Sequence, residues 1–278
     1  MEATTVLDRI VESKAHRLAQ AKAAVPLDAQ KRLAAEAPAP RGFLDAIARG
    51  CARCGGTAVI AEIKKASPSA GIIHAELDEA TVARGYTAAG ASGLSVVTEE
   101  DHFSGQLCDL TTVREATTLP VLRKDFLTDP YQLYEARAAG ADAVLLITAI
   151  LADDRLSELL SLAHDLGLDA LVEVHDRAEL ATALDVGARI VGVNNRDLKT
   201  LDVDLATAER LLPEVPEGIV KVAESGVKTR SDLDRMTAAG ADAVLVGEAL
   251  LRANEPASAL AELTGHELPP PLHGQVVT

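Results

Sequence analysis

The chain has 278 residues, a formal net charge of −15, 48% hydrophobic residues and 2% aromatic residues. This length suits one large α/β domain, and the negative charge argues against a general affinity for nucleic acid or for anionic membranes. Because aromatic residues are so scarce, the core must be built mainly from alanine, valine, leucine and isoleucine.

The N-terminal region, residues 1–45, is predicted to be a helical extension that packs on the main domain. Residues 6–25 have the pattern of an amphipathic helix, and the linker APAPRG follows at 37–42. Charged residues near the N-terminus leave no apolar core for a signal peptide, and the longest apolar run, at 143–152, is too short to cross a bilayer. We therefore expect a cytoplasmic protein.

Cys51 and Cys54 come next in the chain, with the spacing C-x-x-C. No second pair of cysteines or histidines at the spacing of a zinc finger accompanies them. We therefore expect no metal site and no disulfide framework, and we interpret both residues as ordinary thiols.

A segment that occurs four times indicates the fold. Each copy contains the end of a helix, a glycine suited to left-handed backbone just past that helix, a short link and an apolar strand. Continuous apolar strands are typical of a parallel sheet that helices cover. The copies are YTAAGASGLSVV (86–97), ARAAGADAVLLI (136–147), ALDVGARIVGVN (183–194) and MTAAGADAVLVG (236–247).

Further apolar runs bring the number of predicted strands to eight. The predicted strands are 57–63, 93–97, 119–123, 142–147, 168–173, 189–193, 219–223 and 242–246. Helical stretches such as 155–166 and 229–239 separate most of them, so the pattern predicts a (β/α)8 TIM barrel over residues 46–262. A doubly wound open sheet is the alternative, but no G-x-G-x-x-G motif follows the first strand. The tail at 263–278 is rich in proline and glycine and is predicted to be poorly ordered.

Charged, amide and hydroxyl side chains stand at the C-terminal ends of several predicted strands, where barrel enzymes place their catalytic groups. They are Glu62, Lys64, Lys124, Glu173, Asn194, Arg196, Glu224 and Ser225. Glu62 and Lys64 are two residues apart, so they share one face of the first strand. We interpret Lys65, Arg123, Asp125 and Asp197 as solvated loop residues or members of structural ion pairs. Together, however, so many unpaired charges would be costly in one barrel mouth, which favours a catalytic centre of paired lysines and carboxylates.

Two glycine-bearing loops, after the seventh and eighth strands, predict a phosphate site. Gly226 follows the sequence AES in the seventh loop, and Gly247 opens the eighth within VGEAL at 246–250. Glycine allows backbone N–H groups to approach an anion, and the start of a short helix adds its dipole. These two loops are the usual phosphate-binding loops of this fold.

The chain closely resembles the indole-3-glycerol phosphate synthase family in motifs that follow one another in order along residues 6 to about 262. The motifs are EIKKASPSAG, TEEDHFSG, LRKDF, LVEVHD, VNNRDLKT and VAESGV. The resemblance implies a carbon–carbon lyase of tryptophan biosynthesis that uses no metal or organic cofactor. Its reaction closes 1-(2-carboxyphenylamino)-1-deoxyribulose 5-phosphate to indole-3-glycerol phosphate and releases CO2 and water. The expected partner is thus a small phosphorylated anion, and contact with other enzymes of the pathway stays open.

The resemblance also implies roles for individual residues. The implied catalytic residues are Lys64, Lys124, Glu62, Glu173, Glu224, Asn194 and Ser225. The residues implied to bind the substrate carboxylate are Ser67 and Arg196. The residues implied to bind the phosphate are Lys64, Gly226, Gly247 and Glu248. The residues implied to contact the aromatic ring are Phe103, Phe126, Leu145 and Leu201. The residue types fit the chemistry, because ring closure needs an acid at the ketone oxygen and a base at the ring nitrogen.

The two lysines are predicted to differ in role. Lys64 shares a strand face with Glu62 and faces the expected anion sites, so we expect it mainly to anchor the substrate and to assist dehydration. Lys124 has no carboxylate on its own strand face and is followed by Phe126. We therefore expect Lys124 to be the acid for ring closure.

One position departs from the family pattern, since many members have a basic residue where this chain has Ala70. The alternatives are a barrel like phosphoribosylanthranilate isomerase, a Schiff-base aldolase that uses Lys124, and an inactive barrel that serves as a binding partner. The first would require a cysteine and an aspartate where this chain has Glu62 and Asn194. The aldolase leaves Lys64 unexplained, and an inactive barrel would not be expected to keep a complete ring of polar strand ends.

Overall fold

The computed structural model describes residues 5–54 and 56–268, without the side chains of residues 53 and 54. In these ranges the strands are β1 (Ala58–Ile63), β2 (Ala66–Ser67), β3 (Gly71–Ile72), β4 (Gly93–Val97), β5 (Val121–Lys124), β6 (Ala143–Ile147), β7 (Asp169–Val174), β8 (Ile190–Asn194), β9 (Val220–Glu224) and β10 (Ala243–Val246). Eight of them close a parallel barrel in the order β1-β10-β9-β8-β7-β6-β5-β4. The other two, β2 and β3, form a small antiparallel hairpin in the loop after β1.

Three helices of the described residues precede the first strand, and the later helices follow the barrel strands and cover their outer faces. They are α1 (Val6–Ala24), α2 (Leu27–Glu36), α3 (Phe43–Cys54), α4 (Glu79–Ala88), α5 (Leu107–Ala116), α6 (Pro130–Ala138), α7 (Asp153–Asp165), α8 (Arg177–Asp185), α9 (Ala206–Leu211), α10 (Arg230–Ala238), α11 (Glu248–Leu251) and α12 (Pro256–Thr264). Within the described ranges, none of these helices is both long and apolar enough to span a membrane.

The predicted (β/α)8 barrel is confirmed, and the open sheet is excluded because the strands form a closed barrel. Each predicted strand overlaps an observed one, and the ends differ by at most two residues. The four glycines of the repeated segment, Gly90, Gly140, Gly187 and Gly240, have φ angles between +83° and +91°, as their places after helix ends require. The predicted tail at 263–278 lies outside the described residues from residue 269 onward.

Helix α3 closes the N-terminal end of the barrel, and it is not among the predicted elements. Phe43 and Ile47 lie one turn apart on this helix and are fully buried in the same apolar cluster as the first inward-facing residues of the strands. The backbone N–H of Leu44 donates a hydrogen bond to Asp169 Oδ2 at 2.9 Å, at the beginning of β7. The barrel therefore has a solid apolar floor.

Helix α1 lies across the opposite end, where the strands terminate. Lys14 Nζ is 2.8 Å from Asp125 Oδ2 and 2.9 Å from Glu100 Oε2. Asp125 also pairs with Arg123 at 3.1 Å, so these two residues belong to a buried structural ion-pair network. Further along the helix, Lys22 pairs with an aspartate before α6 at 2.8 Å. The N-terminal helix is thereby tied to the rim of the barrel.

The inward-facing residues of the strands change from apolar to charged along the barrel axis. Because alternate strand residues share one face, an apolar residue near the start of a strand has a polar residue above it near the end. The pairs, apolar residue first, are Ile60 and Glu62, Leu122 and Lys124, Leu171 and Glu173, and Val222 and Glu224. These four polar residues form what we call the charged layer, above the apolar floor.

Candidate active site

A cavity of about 760 Å³ opens at the C-terminal end of the barrel, directly above the apolar floor. Every site residue predicted from the sequence lines this one cavity. They are Glu62, Lys64, Ser67, Phe103, Lys124, Phe126, Leu145, Glu173, Asn194, Arg196, Leu201, Glu224, Ser225, Gly226, Gly247 and Glu248. Residues from β1 and from strands on the far side of the barrel therefore face the same space.

Lys124 lies between two carboxylates that come from other strands. Its Nζ is 3.1 Å from Glu173 Oε2 and 3.0 Å from Glu224 Oε2. The lysine side chain is 17% exposed, whereas those of Glu173 and Glu224 are 2% and 1% exposed. Lys124 has no carboxylate on its own strand face, as predicted, but closure of the barrel brings Glu173 and Glu224 to it from β7 and β9. The sequence predictions miss these two partners.

The three members of this cluster have displaced pKa values. Burial works against the charge of Lys124, but Glu173 and Glu224 outweigh it and hold the pKa of the lysine above its usual range. Burial likewise opposes ionisation of Glu173, yet Lys124 and His175 bring the pKa of Glu173 below its usual range. For Glu224, burial dominates over Lys124 and raises the pKa to about 7. Near neutral pH, one carboxylate is thus ionised while its neighbour can carry a proton, the arrangement that separates a base from an acid.

A second lysine–carboxylate pair occupies the other side of the cavity. Lys64 Nζ is 2.6 Å from Glu62 Oε1, and Glu62 is almost completely buried. The carboxylate of Glu62 fits there because residue 247 is a glycine: a Cβ at Gly247 would lie 2.4 Å from Glu62 Oε1. Gly247 therefore makes room for the carboxylate as well as opening the eighth loop.

Gly192 plays the same part for Glu224, and it is not among the predicted site residues. A Cβ at Gly192 would lie 2.1 Å from Glu224 Oε1 and 3.0 Å from Leu171 Cδ1. Gly192 sits inside strand β8, where glycine weakens the strand and often marks the close approach of another group. A glycine inside the predicted strand, within VGVNN, is the feature of the sequence that could have identified this position.

Asn194 and Arg196 connect the charged layer to the loop after β8. Asn194 Nδ2 donates a hydrogen bond to Glu173 Oε1 at 3.0 Å, and Asn194 Oδ1 accepts one from the backbone N–H of Arg196 at 3.0 Å. Arg196 Nη1 in turn donates to the carbonyl of Leu201 at 2.8 Å. These bonds hold the guanidinium at the cavity wall, where it can meet a carboxylate.

The side of the cavity next to Lys124 is apolar. The ring centroids of Phe103 and Phe126 are 6.1 Å apart, with the ring planes tilted by 41°. Leu145 from β6 and Leu201 complete this wall. Aromatic rings at such separations interact favourably, so the wall suits a planar aromatic ring.

The opposite side of the cavity is formed by the loops after β1, β9 and β10. Ser225 and Gly226 have φ angles of +65° and +90°, so the seventh loop turns sharply at the cavity edge. Arg252, which the sequence predictions miss, also lines the cavity and pairs with Glu248 at 2.9 Å. Its Nη2 lies 3.4 Å from the carbonyl oxygen of Ala70. The guanidinium of Arg252, the residue after α11, thus reaches the loop in which this chain has Ala70 in place of the common basic residue.

His175 is a further residue that the predictions miss. It follows β7 and stands behind Glu173, with Nε2 3.3 Å from Glu173 Oε1. The signal in the sequence is the spacing of two residues in LVEVHD, which places the two side chains on one strand face.

The cysteine pair lies away from this cavity. Cys51 Sγ donates a hydrogen bond to the carbonyl of Gly56 at 2.9 Å. The side chain of Cys54 lies outside the described part, so the prediction for the pair stays a prediction. Among the side chains that the structure describes, no group of three or more histidine, cysteine, aspartate or glutamate residues is arranged to hold a metal ion.

Two solved structures share this fold at low sequence identity. Thiamine phosphate pyrophosphorylase from Pyrococcus furiosus matches with a TM-score of 0.57 and 18% identity, covering 77% of this chain and 96% of that one. A variant of mandelate oxidase matches with a TM-score of 0.57 and 17% identity, covering 75% of this chain and 73% of that one. At these identities the likeness shows the fold alone.

Sequence comparison is more specific. An indole-3-glycerol phosphate synthase from Mycolicibacterium vanbaalenii is 49% identical over 263 residues, which is 95% of each chain. Another from Dehalococcoides mccartyi is 48% identical over 261 residues, covering 93% of this chain and 99% of that one. The family model for indole-3-glycerol phosphate synthase matches residues 7–263. This chain therefore belongs to the indole-3-glycerol phosphate synthase family.

Proposed function

We propose that this protein is a carboxy-lyase that converts 1-(2-carboxyphenylamino)-1-deoxyribulose 5-phosphate into indole-3-glycerol phosphate, CO2 and water. The observation that carries the proposal is the pair of lysines in one cavity, each held by buried carboxylates. The ketone oxygen of the substrate must be protonated twice in this reaction. It takes one proton when the ketone is attacked and a second when it leaves as water. Family membership supports the same reaction.

The cavity offers a separate region for each part of this substrate. The aromatic ring lies against Phe103 and Phe126, beside Lys124. The ring carboxylate lies near Arg196 and Ser67, where a guanidinium and a hydroxyl can bind it. The phosphate lies at the loops after β9 and β10, with Lys64 and the neighbouring Arg252 on the same side. Positive charge is thereby concentrated at two points of an otherwise acidic protein.

Ring closure begins when the ring carbon that bears the carboxylate attacks the ketone carbon. As the carbon–carbon bond forms, the carbonyl oxygen takes a proton from Lys124, and Glu173 accepts the proton of the anilino nitrogen. Loss of CO2 then returns the bonding electrons to the ring, and the nitrogen recovers its proton from Glu173. Aromaticity is restored in this step.

Dehydration follows at the other side of the cavity. Lys64 protonates the leaving hydroxyl, which departs as water, and Glu62 accepts the proton from the adjacent carbon. One proton is taken up overall, because CO2 leaves from a carboxylate. The short Lys64–Glu62 distance of 2.6 Å supports the assignment of these two residues as the second acid–base pair.

The elevated pKa of Lys124 is compatible with its role as an acid. Its two carboxylate partners keep the amine protonated as long as no substrate is bound. When Lys124 turns from these carboxylates towards the ketone oxygen, it loses their stabilisation and becomes a stronger acid. The proton is then released at the point in the reaction where negative charge develops on oxygen.

The test is an assay of indole formation with the phosphorylated substrate and with the same substrate after removal of the phosphate. We expect turnover of the first, and for the second a kcat/KM lower by at least about 10²-fold, because charge-assisted hydrogen bonds to the phosphate are lost. Equal kcat/KM for both compounds would contradict the proposed phosphate site. Absence of indole from the phosphorylated substrate would refute the function itself.

A further inference from the structure

We propose that His175, held in place by Glu179, is a positioning residue that keeps Glu173 ionised and oriented while ring closure takes place. The inference rests on the proposed function, in which Glu173 is the base at the anilino nitrogen. Neither His175 nor Glu179 lines the cavity, so both act through Glu173 and without contact to the substrate.

The three side chains form a continuous row that runs outward from the cavity. His175 Nε2 is 3.3 Å from Glu173 Oε1, and His175 Nδ1 is 2.9 Å from Glu179 Oε2. The same oxygen of Glu179 accepts hydrogen bonds from the backbone N–H of His175 at 2.7 Å and from Thr148 Oγ1 at 2.9 Å. Glu179 is therefore fixed from three directions, and it fixes the histidine ring.

Two carboxylates facing the two ring nitrogens require both nitrogens to carry protons, which is the imidazolium form. The side chain of His175 is 15% exposed. Burial alone would lower its pKa, but Glu173 and Glu179 outweigh burial and raise the pKa of His175 to about 10. Asp197, from the loop after β8, is a further charged group near the ring. The imidazole thus stays positively charged at neutral pH.

A permanent charge behind Glu173 becomes important when Lys124 moves. In the structure Glu173 faces Lys124, His175 and the amide of Asn194. When Lys124 turns to the substrate, a carboxylate so deeply buried would bind a proton unless another cation stayed beside it. His175 remains in place and supplies that cation, so Glu173 is still a base when the nitrogen proton must leave.

The Nε2–Oε1 approach is close but is not aligned as a hydrogen bond, since Nε2 of His175 has no hydrogen-bond partner among the described residues. The interaction in this state is therefore mainly one of charge. A small rotation of the Glu173 carboxylate, once Lys124 has left, would align the two atoms. His175 can then donate a hydrogen bond to Glu173 when Lys124 no longer does.

The first test is the pH profile of kcat for His175→Gln, which replaces the charge by a neutral amide. We expect the acid limb of the profile to move up by about one pH unit, because an adjacent opposite charge commonly lowers a carboxyl pKa by 1–3 units. At alkaline pH kcat should approach the wild-type value, and KM should change by less than about threefold. The matched control is His164→Gln, a half-buried histidine of α7 near Asp169 at the opposite end of β7.

The second test is independent of turnover. The ring nitrogens of His175, assigned through their correlation with the backbone resonances of the same residue, are followed by NMR as the pH is raised. We expect the wild-type ring to stay an imidazolium through neutral pH and the ring in Glu179→Gln to lose its proton at a lower pH. Glu158→Gln, an exposed carboxylate paired with Arg155, is the matched control. This arm also serves if His175→Gln fails to fold.

Two results would overturn the inference. One is a fall of kcat by the same factor at every pH with no movement of the acid limb, which would indicate a purely structural role. The other is a wild-type His175 ring that titrates in the ordinary range near about 6.5. Absence of turnover by the wild-type protein would instead refute the proposed function. Turnover with an unshifted acid limb would refute this inference alone.

Discussion

Replacing Lys124 by Met distinguishes the catalytic role of this lysine from its contribution to the stability of the fold. Methionine has a similar length and no charge, so the variant leaves the carboxylates of Glu173 and Glu224 buried with no lysine between them. We expect kcat to fall by roughly 10²–10⁴, the usual effect of losing an acid or base catalyst, with a much smaller change in KM.

The same change should lower stability in a way that depends on pH. Removing one partner from a buried ion pair costs about 3–5 kcal/mol, and the partly exposed lysine here suggests the lower end, about 3 kcal/mol. In the variant, the missing cation lets burial raise the pKa of Glu224 further, whereas His175 still keeps Glu173 ionised. A group whose pKa is higher in the folded state stabilises the fold at low pH and loses that effect as the pH rises. The stability deficit should therefore grow between about pH 6 and about pH 8.

The measurement is urea unfolding followed by circular dichroism at these two pH values, together with the assay of indole formation. The double variant Lys124→Met/Glu224→Gln should recover much of the stability, because one buried charge is removed, but none of the activity. Lys64→Met, which leaves one carboxylate unpaired, should cost less stability and should raise KM while also lowering kcat.

Two results would refute this reasoning. A deficit that is equal at both pH values would mean that the charge of Glu224 does not depend on Lys124. A Lys124→Met variant that retains kcat while Lys64→Met abolishes it would mean that the roles of the lysines are reversed.

Two further substitutions test the neighbours of Lys124. Glu173→Gln keeps the shape of the side chain, so circular dichroism should be unchanged while kcat falls by roughly 10²–10⁴, and a near-normal kcat would remove Glu173 from the mechanism. In Gly192→Ala the new Cβ would lie 2.1 Å from Glu224 Oε1, so the carboxylate must move; we expect a loss of about 1–3 kcal/mol in unfolding free energy and a lower kcat. An alanine variant with wild-type kcat would show that the position of Glu224 is not critical.

The repeated helix–glycine–strand segments were sufficient to predict the barrel, because both signals are local. The positions of Glu62, Lys124, Glu173 and Glu224 at strand ends were sufficient to predict that they meet. Their pairing was not predictable, since the partners of Lys124 depend on the tilt and stagger with which the barrel closes. Those partners, Glu173 and Glu224, are 49 and 100 positions from Lys124 along the chain.

The same limit applies to the parts outside the repeats. The pattern at 6–25 predicted a helix, but its place at the rim depends on single ion pairs such as Lys14 with Asp125, 111 positions apart in the chain. Phe43 and Ile47 of α3 have helical spacing, yet nothing local shows that they fill the barrel floor. Long-range contacts of this kind are fixed by the assembled fold and leave little trace in a single sequence.

The charged layer has a consequence for how this protein could evolve. Replacing a whole buried set of charges by well-packed apolar residues is often neutral or stabilising, whereas removing a single member is costly. A barrel whose inner wall stayed apolar up to the rim would thus be reachable only through less stable single variants. Selection for stability alone would favour that inert barrel, so the four polar residues are explained by the function of the cavity and not by the stability of the fold.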